Sequence, residues 1–198
     1  METINYAMTE SYRRNWGPIE AVREIVQNCL DNRENPSTYE YDGTSICITT
    51  KGYVLSPSSF ALGESDKPKD SIGGFGEGFK LALMVLVRNK LDCTVVFGNT
   101  VAMPHFAYDD NLKRQTFRIS FTDVSELNMP YHERTMFMFD FPKELEQQLK
   151  DKINVFSDDV LPLPNTVDII NKPGKIMVNG LFVCEEPRFK YGYNFAPS

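Results

Sequence analysis

The 198-residue sequence has few cysteines and no apolar run long enough to cross a bilayer. Its cysteines show no C-x-x-C or other metal-ligand spacing, which predicts reduced thiols that lie mostly in the core; they are Cys29, Cys47, Cys93 and Cys184. The longest apolar run, residues 81–87, is far shorter than the roughly 20 residues of a membrane-spanning helix. The first residues lack the charged-then-apolar order of a signal peptide. We therefore expect a soluble cytoplasmic protein.

The sequence also lacks an excess of positive charge. It contains 21 Lys and Arg residues against 27 Asp and Glu residues, which gives a net charge of −6. This balance argues against direct, sequence-independent nucleic-acid binding, which normally uses a basic patch. A local basic pocket stays compatible with it.

The 41% of hydrophobic residues can form a real core, and the length predicts one domain over residues 1–198. Apolar periodicity predicts helices over 17–35, 79–89 and 142–154, with one short helix near Ser58–Leu62. Strands are predicted at 44–50, 93–98, 116–121, 135–141 and 175–183, the last as a terminal hairpin with a tight Asn179-Gly180 turn. Residues 35–43 are predicted as a loop, and the aromatic tail 189–198 as either ordered or loose. This order indicates an α+β fold with helices on one face of a mainly antiparallel sheet.

Two common phosphate-binding motifs are absent from the most glycine-rich stretch, residues 72–80 (IGGFGEGFK). Gly73 and Gly78 have the separation of a Walker A loop, but Phe79 stands before Lys80 and no Ser or Thr follows. A dinucleotide loop would need G-x-G-x-x-G directly after a strand, and the preceding DKPKDS predicts no strand. A glycine-rich segment that opens a helix can still surround an anion with backbone N–H groups. The alternative is a flexible loop between two helices.

The first predicted helix carries a polar stripe formed by Glu24, Asn28 and Asp31, which Glu20 extends. The simplest interpretation is a solvated polar face. Asn has a poor helix propensity, however, so a function should retain it in mid-helix. An Asn oxygen suits Mg²⁺, and a Glu one turn earlier is placed to polarise a water for attack on a phosphoryl group.

This helix and the later glycine segment together resemble the GHKL superfamily of ATPases (gyrase, heat-shock chaperone, histidine-kinase and MutL proteins), which share the Bergerat nucleotide-binding fold. EIVQNCLDN resembles the family's N-box, E-x-x-x-N-x-x-D, and GGFGEGFK resembles its second glycine box. GESDK (63–67) resembles the G-x-S-x-K stretch before the lid, and RTMFMFDF (134–141) resembles a later strand near the adenine. The resemblance covers residues 15–141 and implies a two-layer sandwich, with helices packed on one face of a mixed, mainly antiparallel sheet.

The resemblance implies a role for each matching residue. Glu24 would activate the attacking water and reach Mg²⁺ through water, Asn28 would bind Mg²⁺ directly, and Asp31 is the third motif position. The other candidates for nucleotide binding are Thr50, Gly52, Ser65, Lys67, Gly74, Phe75, Gly76, Glu77, Gly78, Lys80 and Thr135. The glycines would lie near the triphosphate, Lys67 and Lys80 would add positive charge, and Thr135 would help to hold the adenine end. The implied cofactors are ATP and Mg²⁺.

One position departs from the family pattern. The family's first glycine box, D-x-G-x-G, has an Asp that accepts a hydrogen bond from the adenine amino group. The matching stretch here, TKGYV, has Thr50 in that place, keeps Gly52 and replaces the second glycine by Val54. A Thr hydroxyl can accept the same bond, but charge-assisted bonds are roughly twice as strong. Asp42 is the other available carboxylate, although its YDG context favours a turn.

Two function classes follow from these residues. The first is a GHKL-type protein that binds ATP, hydrolyses it slowly with Mg²⁺, and signals to a protein partner or a second copy through a lid at 63–78. The second is a non-catalytic interaction module or inhibitor that has lost ordinary adenine recognition. No segment resembles a transducer domain or a histidine-kinase dimerisation helix, and His105 and His132 are predicted in loops. We therefore expect a bare nucleotide-binding domain, or one domain of a longer ATPase. A compact protein of this kind would suit a viral or mobile-element origin and the host cytoplasm.

Overall fold

A computed structural model of the chain describes residues 2–32, 34–61, 77–127 and 133–197. The chain divides into two compact units, Met1–Phe141 and Pro142–Ser198. Each has its own sheet, and the described residues form three α-helices in all. The mixed α+β class is thereby confirmed, whereas the two-layer Bergerat sandwich and the single-domain organisation stay predictions.

Helix α1 of the first unit spans Pro18–Asp31, as the apolar periodicity predicts. Pro18 occupies the first turn, where its missing N–H is not needed, and Glu20 Oε2 accepts a hydrogen bond of 2.9 Å from the Gly17 N–H. One face of the helix is buried, and it comprises Ile19, Ala21, Val22, Ile25, Val26, Cys29 and Leu30. The polar stripe therefore lies on the side that the core leaves open.

Helix α2 spans Gly78–Arg88 and is buried over seven consecutive residues, Lys80–Leu86. It packs against α1 and against two strands of the large sheet. At its C-terminal end, the Arg88 guanidinium donates to the backbone carbonyls of Tyr12 (2.6 Å) and Trp16 (2.6 Å). Arg88 thus ties the end of α2 to the segment that leads into α1.

The first unit contains a seven-stranded sheet in which every neighbouring pair is antiparallel. Its strands are β1 (Glu2–Asn5), β2 (Ser37–Tyr41), β3 (Ser45–Lys51), β4 (Cys93–Phe97), β5 (Thr100–Asp109), β6 (Arg114–Asp123) and β7 (Arg134–Asp140). Their order across the sheet is β1-β6-β5-β4-β7-β3-β2. Strands β3 and β7 are direct neighbours, which places residues far apart in the sequence side by side.

A short 3-10 helix at Pro57–Phe60 connects β3 to the glycine segment, close to the predicted short helix. Phe60 is completely buried and packs against Phe79, Phe97 and Phe121 at ring-centroid distances of 5.2 to 5.4 Å. These contacts attach the connection to α2 and to the core face of the sheet.

Two predictions about loops were wrong. Residues 35–43 contain β2, an edge strand that pairs with β3 and whose outward side chains, Thr38 and Glu40, are exposed. His105 lies within β5 rather than in a loop, and Pro104 in the same strand explains why the pattern was missed, because Pro is depleted in strands. His132 lies outside the described residues.

The second unit contains one α-helix and a smaller, four-stranded sheet among its described residues. Helix α3 spans Glu146–Lys152, and the strands are β8 (Val167–Ile170), β9 (Lys175–Val178), β10 (Leu181–Glu185) and β11 (Gly192–Phe195). Their order is β10-β9-β11-β8, and the β9–β11 pair is parallel. The predicted hairpin is confirmed: Asn179 and Gly180, with φ of 52° and 77°, connect β9 to β10. The hairpin is not the last element, because the aromatic tail is ordered as β11.

No disulfide joins the four cysteines, all of which are described residues; Cys29 and Cys93 are buried, Cys47 is half-buried and Cys184 is exposed. No helix among the described residues combines the length and the apolar character that crossing a membrane requires.

Candidate functional site

The polar stripe of α1 contains a side-chain pair of acid and amide. Asn28 Nδ2 donates to the Glu24 backbone carbonyl (2.8 Å) and contacts Glu24 Oε1 at 3.3 Å. Both residues are half-buried. The amide of Asn28 is therefore turned so that its donor group meets Glu24, and its carbonyl oxygen is the atom with which it can bind a cation.

Gly78, the last glycine of the glycine segment, lies directly against this pair. A Cβ atom at Gly78 would stand 1.7 Å from Glu24 Oε1 and 2.5 Å from Glu24 Cδ. No side chain fits there while Glu24 keeps its position. The structure thus brings together three predicted residues, Glu24, Asn28 and Gly78, from two separate motifs.

Five of the predicted nucleotide-binding residues lie outside the described residues; they are Ser65, Lys67, Gly74, Phe75 and Gly76. Glu77 is exposed and precedes α2, and Asp31 is the half-buried last residue of α1. Their assignment to nucleotide binding stays a prediction.

Lys80 is completely buried on the first turn of α2. Its Nζ donates to the Ala61 carbonyl oxygen and lies 5.4 Å from the centroid of the Phe79 ring. This contact joins the start of α2 to the last described residue before the glycine segment. Lys80 therefore joins Ala61 to the first turn of α2, and its contribution to phosphate binding stays a prediction.

Thr50 and Thr135 form a directly opposed pair in β3 and β7, and both are buried. The Thr50 hydroxyl contacts Ser37 Oγ at 2.6 Å and Cys29 Sγ at 4.0 Å. Thr135 Oγ1 donates to the Tyr53 carbonyl and accepts from the Leu55 N–H, both at 3.0 Å. The two threonines assigned to the adenine end thus lie together.

Gly52 lies in the backbone that follows β3, with φ of 75° and its N–H bonded to the Glu133 carbonyl at 2.7 Å. The hydroxyl of Thr135 binds the next residues of the same connection. Thr135 therefore stabilises residues 53–55, whatever else it contacts.

Asp42 has a different role from Thr50. Its carboxylate accepts hydrogen bonds from the backbone N–H groups of Thr44 (2.8 Å) and Ser45 (2.7 Å), in the turn between β2 and β3. These backbone donors, followed by the two hydroxyls, hold the pKa of Asp42 below its ordinary value. The interpretation of Asp42 as a turn residue is confirmed.

The Thr50 hydroxyl contacts two neutral side chains, Ser37 and Cys29, and Tyr39 lies on the same strand as Ser37. Burial, and next the Cys29 thiol, raises the pKa of Tyr39, so the phenol is protonated at neutral pH. Ser37, Cys29 and Tyr39 were not among the predicted site residues. The alternation in β2, which would place Ser37, Tyr39 and Tyr41 on one side, is the sequence signal that could have identified them.

The described residues could hold Mg²⁺ only together with waters and the phosphates of a bound nucleotide. No group of three or more His, Cys, Asp or Glu side chains within the described ranges could hold a metal ion alone. Mg²⁺ usually takes one or two protein oxygens and completes its coordination with waters and substrate phosphates. The Asn28 carbonyl oxygen has the chemistry of such a ligand, and the Glu24 carboxylate would reach the ion through a water.

No protein-family model matches the chain, and no curated protein matches it either. The contacts of Glu24, Asn28, Gly78 and Thr50 therefore carry the functional interpretation.

Proposed function

We propose that the first unit binds ATP with Mg²⁺ and hydrolyses it slowly, in the manner of the GHKL ATPases that its motifs resemble. The observation that carries the proposal is the approach of Gly78 to Glu24, with the Asn28 amide bonded to the same Glu24. A carboxylate, an amide and side-chain-free backbone meet at one point. These are the groups that a water-activating, magnesium-phosphate site needs.

In this proposal Glu24 accepts the proton of the attacking water. The 3.3 Å contact between Asn28 Nδ2 and Glu24 Oε1 restricts the rotation of the carboxylate. The Asn28 carbonyl oxygen and the phosphates would hold Mg²⁺. When bound, the ion neutralises charge on the phosphates.

Gly78 allows the backbone at the start of α2 to lie close to Glu24. Because it has no side chain, the N-terminal end of α2 can lie against the Glu24 carboxylate. A helix N-terminus carries unpaired N–H groups and a partial positive charge, which favour an anion. The phosphate chain would therefore bind at the start of α2, next to the base.

The residues on either side of 62–76 would connect this site to a partner. Ala61, before them, accepts a hydrogen bond from Lys80, and Gly78, after them, lies against Glu24. A nucleotide bound at Glu24 would act on the anchored ends of residues 62–76, and a protein partner or second copy would respond. This signalling role is part of the same proposal.

The variant Glu24→Gln tests the catalytic role. It keeps the size and the hydrogen bonds of the side chain but removes the base, so turnover should fall by about 10² to 10⁴-fold while binding of a non-hydrolysable ATP analogue persists. Phosphate release and calorimetry measure the two quantities. Glu40→Gln, on the exposed side of β2, is the matched control and should change neither. Unchanged turnover in Glu24→Gln would remove Glu24 from the mechanism.

A specific observation favours the second candidate, a non-catalytic interaction module. Thr50 is buried, and its hydroxyl already contacts Ser37 at 2.6 Å, where the family has a carboxylate for the adenine. Titration of the wild-type protein with a non-hydrolysable ATP analogue and Mg²⁺ separates the candidates. Saturable heat supports ATP binding, and its absence at millimolar ligand supports the interaction module.

A further inference from the structure

A connection in the second unit, residues 159–164, has the sequence DVLPLP and forms neither helix nor strand. We name it the proline segment. Each Pro ring fixes its own φ at about −65°, and the residue before each Pro is restricted to extended conformations. The alternation of Leu and Pro over residues 161–164 therefore favours a polyproline II helix, which has about three residues per turn.

The burial of the proline segment repeats with this same period. Leu161 is half-buried, and Pro164, one turn later, is buried. The other two edges of such a helix are exposed; they carry Asp159 with Pro162 and Val160 with Leu163. One edge is thus turned towards the protein, and the other two are open to a partner.

Hydrogen bonds from the preceding residues hold the proline segment in place. The Ser157 hydroxyl donates to the Asp159 carbonyl at 2.7 Å. The Nδ2 group of Asn154, a buried side chain, donates to the Leu161 carbonyl at 3.3 Å. Pro164 is buried at the other end. A segment that is fixed in this way loses little conformational entropy when a partner binds to its open edges.

The outermost side chains of the proline segment are large and apolar. Val160 is 57% exposed and Leu163 is 50% exposed. Side chains three positions apart in a polyproline II helix lie on the same edge, at a spacing of about 9 Å. Val160 and Leu163 therefore form one apolar ridge, whose burial in a groove of a partner would be favourable.

The backbone of the proline segment excludes two common ways of binding a protein partner. Pro162 and Pro164 have no N–H group, so the segment cannot complete the hydrogen-bond ladder of a strand added to a sheet edge. The same two residues prevent it from folding into an α-helix that enters a groove. Recognition as a polyproline II helix, in a groove lined by aromatic side chains, is the mode that this backbone allows.

The proline segment begins with a negative charge. Asp159 is exposed, and its carboxylate joins no ion pair within the ranges that the structure describes. The neighbouring Asp158 differs, because Lys150 Nζ lies 2.8 Å from its carboxylate. Charge complementarity therefore favours a partner with a cationic side chain at one end of its groove.

We propose that the proline segment is the docking site for a protein partner that has an aromatic-lined groove with a Lys or Arg at one end. Val160 and Leu163 enter the groove. Pro162 packs against an aromatic ring, and the Asp159 carboxylate pairs with the cation. This function is additional to the nucleotide site of the first unit and does not depend on it.

The test uses two purified polyproline-binding probes, a WW domain and an EVH1 domain, each chosen with a Lys or Arg beside its aromatic groove. They are titrated into the isotope-labelled full chain and followed by NMR. At least one probe should bind saturably and shift the amide signals of Val160, Leu161 and Leu163. Leu163→Ala should weaken this binding by at least about fivefold, as expected for a lost anchor. Val183→Ala, at a 49% exposed position of β10, is the matched control and should leave binding unchanged.

A charge variant tests the other half of the interaction. Asp159→Asn should weaken binding and make it less sensitive to salt, because the ion pair with the probe is lost. Asp110→Asn, at an exposed position between β5 and β6, is its control and should change neither quantity. Circular dichroism and thermal unfolding confirm that each variant is folded.

Three results would overturn the proposal. The first is the absence of saturable binding to both probes. The second is equal binding by the wild type and either Leu163→Ala or Asp159→Asn. The third is self-association that Leu163→Ala abolishes, without binding of either probe, since the proline segment would then bind a second copy of the chain.

Discussion

At the residue scale, the most informative contact is the one between a glycine and an acid. Gly78 and Glu24 are more than fifty positions apart in the sequence, yet the Gly78 Cα stands where any added Cβ would meet the Glu24 carboxylate. The glycine is required there for the space and not for an unusual φ, because its φ is not among the positive values of the chain. Removing that space should disturb the acid more than the fold.

The variant Gly78→Ala should leave the free energy of unfolding within about 1 kcal/mol of the wild type, since the far end of a flexible Glu side chain can move and Ala favours a helix. Turnover of ATP, if the proposed function holds, should fall by on the order of 10²-fold because the base is displaced. Gly17→Ala is the control, since its Cβ would meet Glu20 Oε2 at a tolerable 3.3 Å. Full turnover in Gly78→Ala would show that the position of Glu24 is unimportant.

Thr135 illustrates a buried hydroxyl with two backbone partners. Thr135→Val keeps the shape but leaves the Tyr53 carbonyl and the Leu55 N–H without this partner. We expect a loss of about 1 to 3 kcal/mol in the free energy of unfolding, measured by urea denaturation. Thr38→Val, at an exposed position of β2, should have little effect. An equal effect of both changes would mean that the hydroxyl contributes nothing to stability.

At the scale of elements, two neighbouring carbonyl groups at the end of the 3-10 helix are held from different directions. The Tyr6 hydroxyl donates to the Phe60 carbonyl at 2.6 Å, and the Lys80 ammonium donates to the Ala61 carbonyl. Phe60 itself is packed among aromatic rings. The connection between β3 and the glycine segment is therefore attached both to the residue after β1 and to α2.

Tyr6→Phe removes one of these two attachments without changing the packing of the ring. Amide hydrogen exchange of Ser59 and Ala61 should become faster, since the 3-10 helix loses an anchor, while exchange in the middle of α2 stays the same. Tyr12→Phe, in which an exposed ring is changed, serves as the control. Exchange that is unchanged at Ala61 would assign the anchoring to Phe60 packing and Lys80 alone.

At the scale of the whole molecule, the chain contains two sheets with separate hydrogen-bond networks. The first unit holds the proposed nucleotide site, and the second holds the four-stranded sheet. Each has its own buried residues, such as Ile46 and Ile48 in the first and Met177 and Leu149 in the second. We expect the two units to open separately.

Met177→Ala tests this separation. It deletes a side chain that is 1% exposed, which typically costs about 2 to 5 kcal/mol. Hydrogen exchange should accelerate in β9 and β11 and stay slow in β3 and β7, because the cavity lies in one network only. Met103→Ala, at a 40% exposed position, is the control. Equal acceleration in both sheets would indicate one cooperative unit.

Much of the local structure was predictable from the sequence. The apolar periodicity of residues 19–30 and the continuous apolar run after Gly78 identified α1 and α2, and β-rich segments identified β3, β4, β6 and β7. Five other strands, β1, β2, β5, β8 and β11, were not assigned. Strand β5 contains Pro104, and β11 begins with Gly192, so their stability comes from neighbours along the sheet and not from propensity.

The amino-acid sequence by itself determined where the two long helices lie, which apolar face of α1 is buried, and where Glu24, Asn28 and the glycines stand along the chain. Only the tertiary structure decided that Gly78 meets Glu24, that Lys80 binds the Ala61 carbonyl, and that Thr50 lies opposite Thr135 and against Ser37. The physical reason is the separation along the chain of the residues that make each contact. Helix periodicity depends on residues three and four positions apart, whereas these contacts join residues that only the packing of α1 on α2 and the register of β3 with β2 and β7 bring together.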